Sequence, residues 1–311
     1  MGDVKGRKAR YWVGAAATAI RMLALCCGML VPEASAYTAA GDRLFPAALV
    51  VPQIAPSDEV YANVMTVPLP GGAPGTASRA TNVKMTYGKT ITDRLGLVLH
   101  ETYTRIDRVG AAGFYGWKNV DGEIKYLMVN DQAREFLLTL GLDREFGGTG
   151  AGRAGASPSG ATTPRVYFGK GLGDLDIGYL RPIALSGFAG LQIADKRPRP
   201  DLVTTGFVAE YSIPYLQSKV HSLVVPDVIR GLTPMLEVLL TVPSGTRFGA
   251  RPTALIAPGV SYAGVGWELA VEALLPATRA TGKGVGVTVQ FHLSLDFVFA
   301  DTIGRPLFSV P

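Results

Sequence analysis

From Val285 every odd position of the closing stretch is apolar (Val285, Val287, Val289, Phe291, Leu293, Leu295, Phe297, Phe299). The even positions run Gly286, Thr288, Gln290, His292, Ser294 and Asp296, with only Val298 out of line. Apolar residues recurring with period two belong to a strand whose two faces want different solvents, because a helix cannot present that pattern. At ~3.3 Å per residue and a tilt of roughly 45°, a strand over Val285–Phe299 rises about 35 Å, more than the ~25 Å apolar band that an outer-membrane barrel offers to lipid.

The same alternation recurs along the chain and predicts twelve strands: 59–69, 80–91, 95–106, 117–130, 133–146, 163–169, 183–194, 201–213, 232–242, 253–262, 265–275 and 285–299. Clear instances set Val83, Met85 and Tyr87 against Asn82, Lys84 and Thr86, and Ile124 and Tyr126 against Asp121, Glu123 and Lys125. The expected fold is therefore all-β, a closed antiparallel transmembrane β-barrel of about twelve strands in an up-and-down meander, and an even number puts both ends of the barrel on one side. Glu101 shares parity with Leu97, Leu99 and Tyr103, so a bulge or a shifted register is expected near it.

The first 36 residues do not share the pattern. Lys5, Arg7, Lys8 and Arg10 precede an apolar run, Met22–Val31, and Ala34-Ser35-Ala36 ends it. This is the order of a cleaved signal peptide, and the run is too short to span a bilayer as a helix. Residues 37–58, rich in proline and without a period, read as an N-terminal periplasmic extension, 59–299 as the barrel and 300–311 as a C-terminal tail. Export from a Gram-negative cytoplasm to the cell outer membrane is the implied localisation. Both cysteines, Cys26 and Cys27, lie in the leader, so disulfides and thiolate chemistry are not expected in the mature chain. Removing the leader takes away five of the 30 basic and two of the 25 acidic residues, which lowers the net charge from +5 to +2 and leaves no reason to expect a nucleic-acid partner.

With a periplasmic start, the connections at 70–79, 105–116, 147–162, 195–200, 243–252 and 276–284 fall outside the cell. They carry a basic rim that includes Lys196, Arg197, Arg199, Arg247, Arg251, Arg279 and Lys283, against only Asp107 and Asp195. Such a rim suits the phosphates of lipopolysaccharide, which arginine holds bidentately. The polar parity must point inward, since an ionised side chain in lipid costs ~2–4 kcal/mol at the midplane. Glu268, Glu272, Gln290, His292, Asp296, Glu237 and Glu210 are thus the expected lumen lining, with Lys84 and Lys125 as the few basic residues on the inward parity. Carboxylates around a passage favour cations and polar solutes; the alternative is that these acids bond interior backbone, waters or one another and simply fill the barrel.

Enzyme-like and metal-like constellations are sparse. His292-Leu293-Ser294 has the His-x-Ser spacing of the outer-membrane phospholipase, but both residues fall on the inward parity and the rest of that motif is absent. Asp174-x-Asp176-x-Gly178 lacks the closing Glu of a calcium loop, His100 and His221 have no ligand spacing, and Gly169, Gly171 and Gly173 lack the spacing of a dinucleotide fingerprint. No catalytic residue, cofactor or metal is expected.

Residues 169–187 (GKGLGDLDIGYLRPIALSG), 208–220 (VAEYSIPYLQSKV) and the block 253–308 resemble the outer-membrane β-barrel transporters of proteobacteria labelled as the phenol-degradation meta-pathway type. The resemblance covers roughly residues 80–308. It implies a porin-like channel for passive uptake of small organic solutes, aromatic ones among them, and carries over no catalytic residue. Two other functions stay open: a non-conducting anchor or scaffold barrel plugged by 37–58 or by the 170–182 connector, and an outer-membrane lipid hydrolase. The last strand's aromatic residue, Phe299, is followed by twelve more residues, so the outer-membrane insertion machinery would have to recognise Phe299 or Phe308.

Overall fold

The structure, a computed structural model, describes residues 38–69, 78–108, 112–197, 199–244 and 250–308. The expected signal peptide, the tip of the 70–79 connection and Arg247 lie outside the described residues.

Twelve antiparallel strands form the wall: β1 (Glu59–Pro68), β2 (Ser78–Thr90), β3 (Leu95–Arg108), β4 (Phe114–Trp117, continued by Asp121–Asp131), β5 (Phe136–Glu145) and β6 (Ala161–Gly171). They are followed by β7 (Ile183–Ala194), β8 (Leu202–Tyr211), β9 (Leu232–Pro243), β10 (Thr253–Ala263), β11 (Trp267–Pro276) and β12 (Gly286–Ser294). Each pairs with its neighbours in sequence, and β12 pairs with β1 from Val287 opposite Thr66 to Ser294 opposite Glu59. The ring of strands is thereby closed, which spares lipid an open sheet edge; among the described residues the Phe114–Trp117 part of β4 pairs on one side alone, with β3.

The parity expected from the sequence is the one observed. In β12, Thr288, Gln290, His292 and Ser294 are buried inside, while Val287, Val289 and Phe291 face out. Large apolar side chains are exposed on strands all the way round, including Met85, Leu99, Ile124, Leu142, Phe207, Leu236 and Val271. An apolar surface of that extent suits lipid and not water. The interior is the polar side, with Glu123, Lys125, Glu237, Glu268, Glu272, Gln290 and His292 almost fully buried.

Three expectations need correction. The last strand stops at Ser294: Leu295–Val298 is a short helix, Leu295 is buried, and the Phe299 amide donates to the Leu295 carbonyl. Val298, the one residue out of step in the sequence, marks that change of period. The chain then folds back on the β2–β3 turn, where Leu307 and Phe308 donate to the carbonyls of Thr90 and Ile91 and Lys89 donates to those of Ile303 and Arg305.

The irregularity sought near Glu101 is on the partner strand. Glu101 keeps its register opposite Met85, while β4 slips by one position between its two parts. Trp117 faces Tyr103 and Asp121 faces His100.

The largest correction concerns residues 37–58. After a hairpin of Thr38–Ala40 and Arg43–Phe45, turned by Gly41 at φ +61°, the chain runs inside the barrel instead of extending away from it. Phe45, Val51 and Ile54 pack with Leu137, Tyr167, Phe188 and Val208, which form the main apolar cluster inside the barrel.

Candidate functional site

The segment in the lumen is held mainly through its backbone. Glu237 accepts hydrogen bonds from three successive amides, Leu49 (2.6 Å), Val50 (3.0 Å) and Val51 (2.6 Å). Glu268 accepts from the Ala47 amide at 3.3 Å. Gln290 donates to the Ala47 and Ala48 carbonyls, Asn63 to that of Leu49, and Lys125 to that of Gln53. A chain without regular structure would otherwise carry orphaned amides and carbonyls through a closed barrel. The polar wall supplies their partners.

Both ends of the segment are clasped. Arg43, fully buried, pairs with Glu135 at 3.2 Å, donates to the carbonyls of Pro182 and Arg181, and lies 3.9 Å over the ring of Tyr215. Glu135 also accepts from the Gly173 amide (3.0 Å) and the Tyr215 hydroxyl (2.8 Å). It sits at φ +48°, a left-handed conformation costing roughly 1–2 kcal/mol for a residue with a Cβ, which this network offsets. Burial, and then the Glu135 carboxylate, push the Tyr215 phenol up from its ordinary value. At the other end Asp58 accepts from Thr90 and Lys89, and its carbonyl takes the Leu295 amide.

The residues expected to line the lumen divide accordingly. Glu237, Glu268 and Gln290 grip the segment. His292 bonds Glu59 at 2.9 Å. Glu210 Oε1 and both carboxyl oxygens of Glu272 are buried with no donor among the described residues. Asp296 lies past the end of β12 on the short helix, where Ser294 donates to it and burial pushes its carboxyl up. His292 and Ser294 therefore bond different acids inside the barrel.

Parity alone places Glu135 on the inner side, where it is buried; the sequence reading missed its partner Arg43 and the role of three glycines. A Cβ on Gly169 would press on Ile54 and Phe45, one on Gly171 on Glu135 and Arg43, and one on Gly173 on Glu135 and Tyr215. Glycine at alternate positions into and beyond β6 strips the inner face for the incoming segment. That spacing was the available signal.

At the opposite end, Lys196, Arg197, Arg251, Arg279 and Lys283 are exposed. Arg197 bonds Asp201, and Arg199 is tied to Glu145 and the Ser159 carbonyl. Arg144 holds Asp195 through two 2.6 Å bonds, which keep that carboxyl below the usual carboxylate range. Arg108 and Arg153 lie over the rings of Phe114 and Tyr115, the latter exposed on the outer face.

Between this rim and the plug lies a cavity of about 220 Å³ with a largely polar wall. Pro52 of the plug, Phe188, Lys84, His100, Asp121, Asp143 and Arg165 contribute to it.

A closed twelve-stranded antiparallel barrel with an apolar exterior and a polar interior is the class that the coordinates define. No protein-family model matches the chain, and neither does any curated protein. Among solved structures the fold is similar to that of the COG4313 outer membrane channel from Pseudomonas putida F1, with a TM-score of 0.51 and 11% identity over 81% of this chain and 99% of that one. The NanC porin gives a TM-score of 0.46 at 9% identity and the KdgM porin 0.45 at 10%, each over 76% of this chain and 98% of theirs. At such identities the likeness is one of fold.

Proposed function

We propose that the protein is an outer-membrane channel for passive uptake of small organic solutes, aromatic ones among them, closed at rest by residues 46–58. The observation that carries this reading is the manner in which the lumen is filled. A barrel that served only as an anchor could be packed with apolar side chains, since replacing buried charges by hydrophobic groups is often neutral or stabilising. Here the wall instead keeps Glu237, Glu268, Gln290, Asn63 and Lys125 as hydrogen-bonding partners for the backbone of a segment inside the barrel. The same groups would face water and solute once that segment moved.

In this reading the leader is cleaved after Ala36, the basic rim meets lipopolysaccharide, and Phe299 or Phe308 serves the insertion machinery. The plug itself favours one competitor, a barrel that stays shut and acts as an anchor. Planar-bilayer recordings of the purified protein separate the two. Discrete conductance events are expected, and a folded barrel that never conducts, even with the plug's contacts removed, refutes the channel.

A further inference from the structure

We infer that the cavity between the rim and the plug is a binding site for a small zwitterion of amino-acid size, its carboxylate taken by Lys84 and its ammonium by Asp121. The inference deepens the channel reading by naming a solute class, and it rests on that reading only for its physiological meaning.

Most charges around the cavity are already matched. Arg165 pairs with Asp143 at 3.2 Å and with Glu123 at 3.4 Å, and Glu145 is held by Arg199 and Asn119. Two are left over. Lys84 on β2 and Asp121 on β4 make neither a hydrogen bond nor an ion pair with each other or with any other described residue, although both line the cavity. They stand on either side of β3, Lys84 opposite Thr102 and Asp121 opposite His100. Two strand spacings and an offset of two residues along β3 set their backbones roughly 12 Å apart, so both side chains reach into the cavity within electrostatic range of each other but without contact. His100, buried between them, spends Nδ1 on the Thr86 hydroxyl at 2.9 Å, and its Nε2 has no partner among the described residues.

One cation and one anion held by no direct contact, with a spare imidazole nitrogen, leave donors and an acceptor open to a ligand within one cavity. A simple anion or cation would satisfy one side and leave the other charge unpaired in a partly desolvated space, which is costly. A zwitterion satisfies both at once through charge-assisted hydrogen bonds. Phe188 and Pro52 add apolar surface for a side chain, and a volume of about 220 Å³, below the ~300–1,000 Å³ of sites for drug-sized ligands, limits the occupant to amino-acid size.

The test uses the full-length mature protein in detergent, titrated calorimetrically with L-phenylalanine, phenylacetate, which lacks the ammonium, and 2-phenylethylamine, which lacks the carboxylate. L-Phenylalanine is expected to bind at least tenfold more tightly than either. Lys84→Met should bring it down to the affinity of 2-phenylethylamine, and Asp121→Asn to that of phenylacetate, each variant keeping the heat-modifiable gel mobility of a folded barrel. Should a variant misfold, Lys84→Gln and Asp121→Ser make the same comparison. Equal binding of the three compounds by the native protein, or binding by none, overturns the proposal. Conductance measured on the same preparation keeps the two readings apart: channels without zwitterion binding remove this site alone, and zwitterion binding without channels removes the channel alone.

Discussion

Replacing Glu237 by alanine should loosen the plug more than any other single change in the barrel wall. The carboxyl accepts from the amides of Leu49, Val50 and Val51 at 2.6–3.0 Å, so one side chain satisfies three consecutive backbone donors. At a net value of about 1 kcal/mol per hydrogen bond, the change weakens the plugged state by about 3 kcal/mol. Loss of three bonds to water-filled space sets that scale, and desolvated amides left without a partner would raise it. Phe45, Val51 and Ile54 keep their apolar contacts, so the segment stays docked most of the time. Since each 1.4 kcal/mol is a factor of ten, the plug-out population should rise about 10²-fold. Single-channel recording in planar bilayers reads this as open-state occupancy, with heat-modifiable mobility reporting that the barrel itself is intact. Glu237→Gln keeps one acceptor oxygen and should fall between the two, with an increase of about tenfold. A folded Glu237→Ala barrel whose occupancy equals that of the native protein would refute the assignment of Glu237 as the plug's main hold.

Gly171→Ala places a Cβ against Glu135 and Arg43. Overpacking of this kind costs about 1–3 kcal/mol, and limited proteolysis should then cut near Asp42 faster than in the native protein; an unchanged rate argues against the clasp. Tyr215→Phe keeps the ring under Arg43 and loses only the hydroxyl's bond to Glu135, at about 1 kcal/mol. Because the folded phenol is raised above the ordinary 10.0, its contribution is fully present below about pH 10 and is lost as the pH climbs through the raised value. The native-minus-variant absorbance titration at 295 nm should therefore show a phenol ionising above 10.0, and a midpoint at or below that value contradicts the buried contact. Glu268→Gln and Glu272→Gln are read through the reversal potential of the open channel, since no current passes while the plug is seated. In the Glu237→Ala background they should lower cation preference, and no shift there would remove both from the conducting path.

How much of this was legible in the sequence follows from what a period can encode. A strand between lipid and an interior of opposite polarity must alternate, so Val287 through Ser294 could be assigned to faces residue by residue, and Ile183–Ala194 begins and ends in the structure where the pattern places it. The ends were harder. Leu295 and Phe297 continue the odd apolar parity, but Leu295 is buried in a helix beyond the last ladder pair, Ser294 with Glu59. Alternation cannot tell a strand from one helical turn that repeats its parity over three residues.

Residues 37–58 could be read either as an extension or, in the anchor alternative, as a plug, and no pattern decided between the two, because a segment whose backbone is satisfied by other strands' side chains needs no period of its own. Its presence was written instead on its surroundings. An inner face with glycine at 169, 171 and 173 would leave a hole inside the barrel, and interiors are packed too densely to keep one without an occupant. Those glycines, unexplained by any nucleotide fingerprint, mark where another part of the chain comes within side-chain distance of the wall. Arg43 makes the complementary point. A guanidinium that is fully buried must find fixed acceptors, and Glu135, Pro182 and Arg181 provide them from two different connections at one mouth of the barrel. Plug and wall therefore specify each other: the strands fix where the acceptors stand, and the segment that fills the space decides which inner positions must carry carboxylates and which must carry nothing.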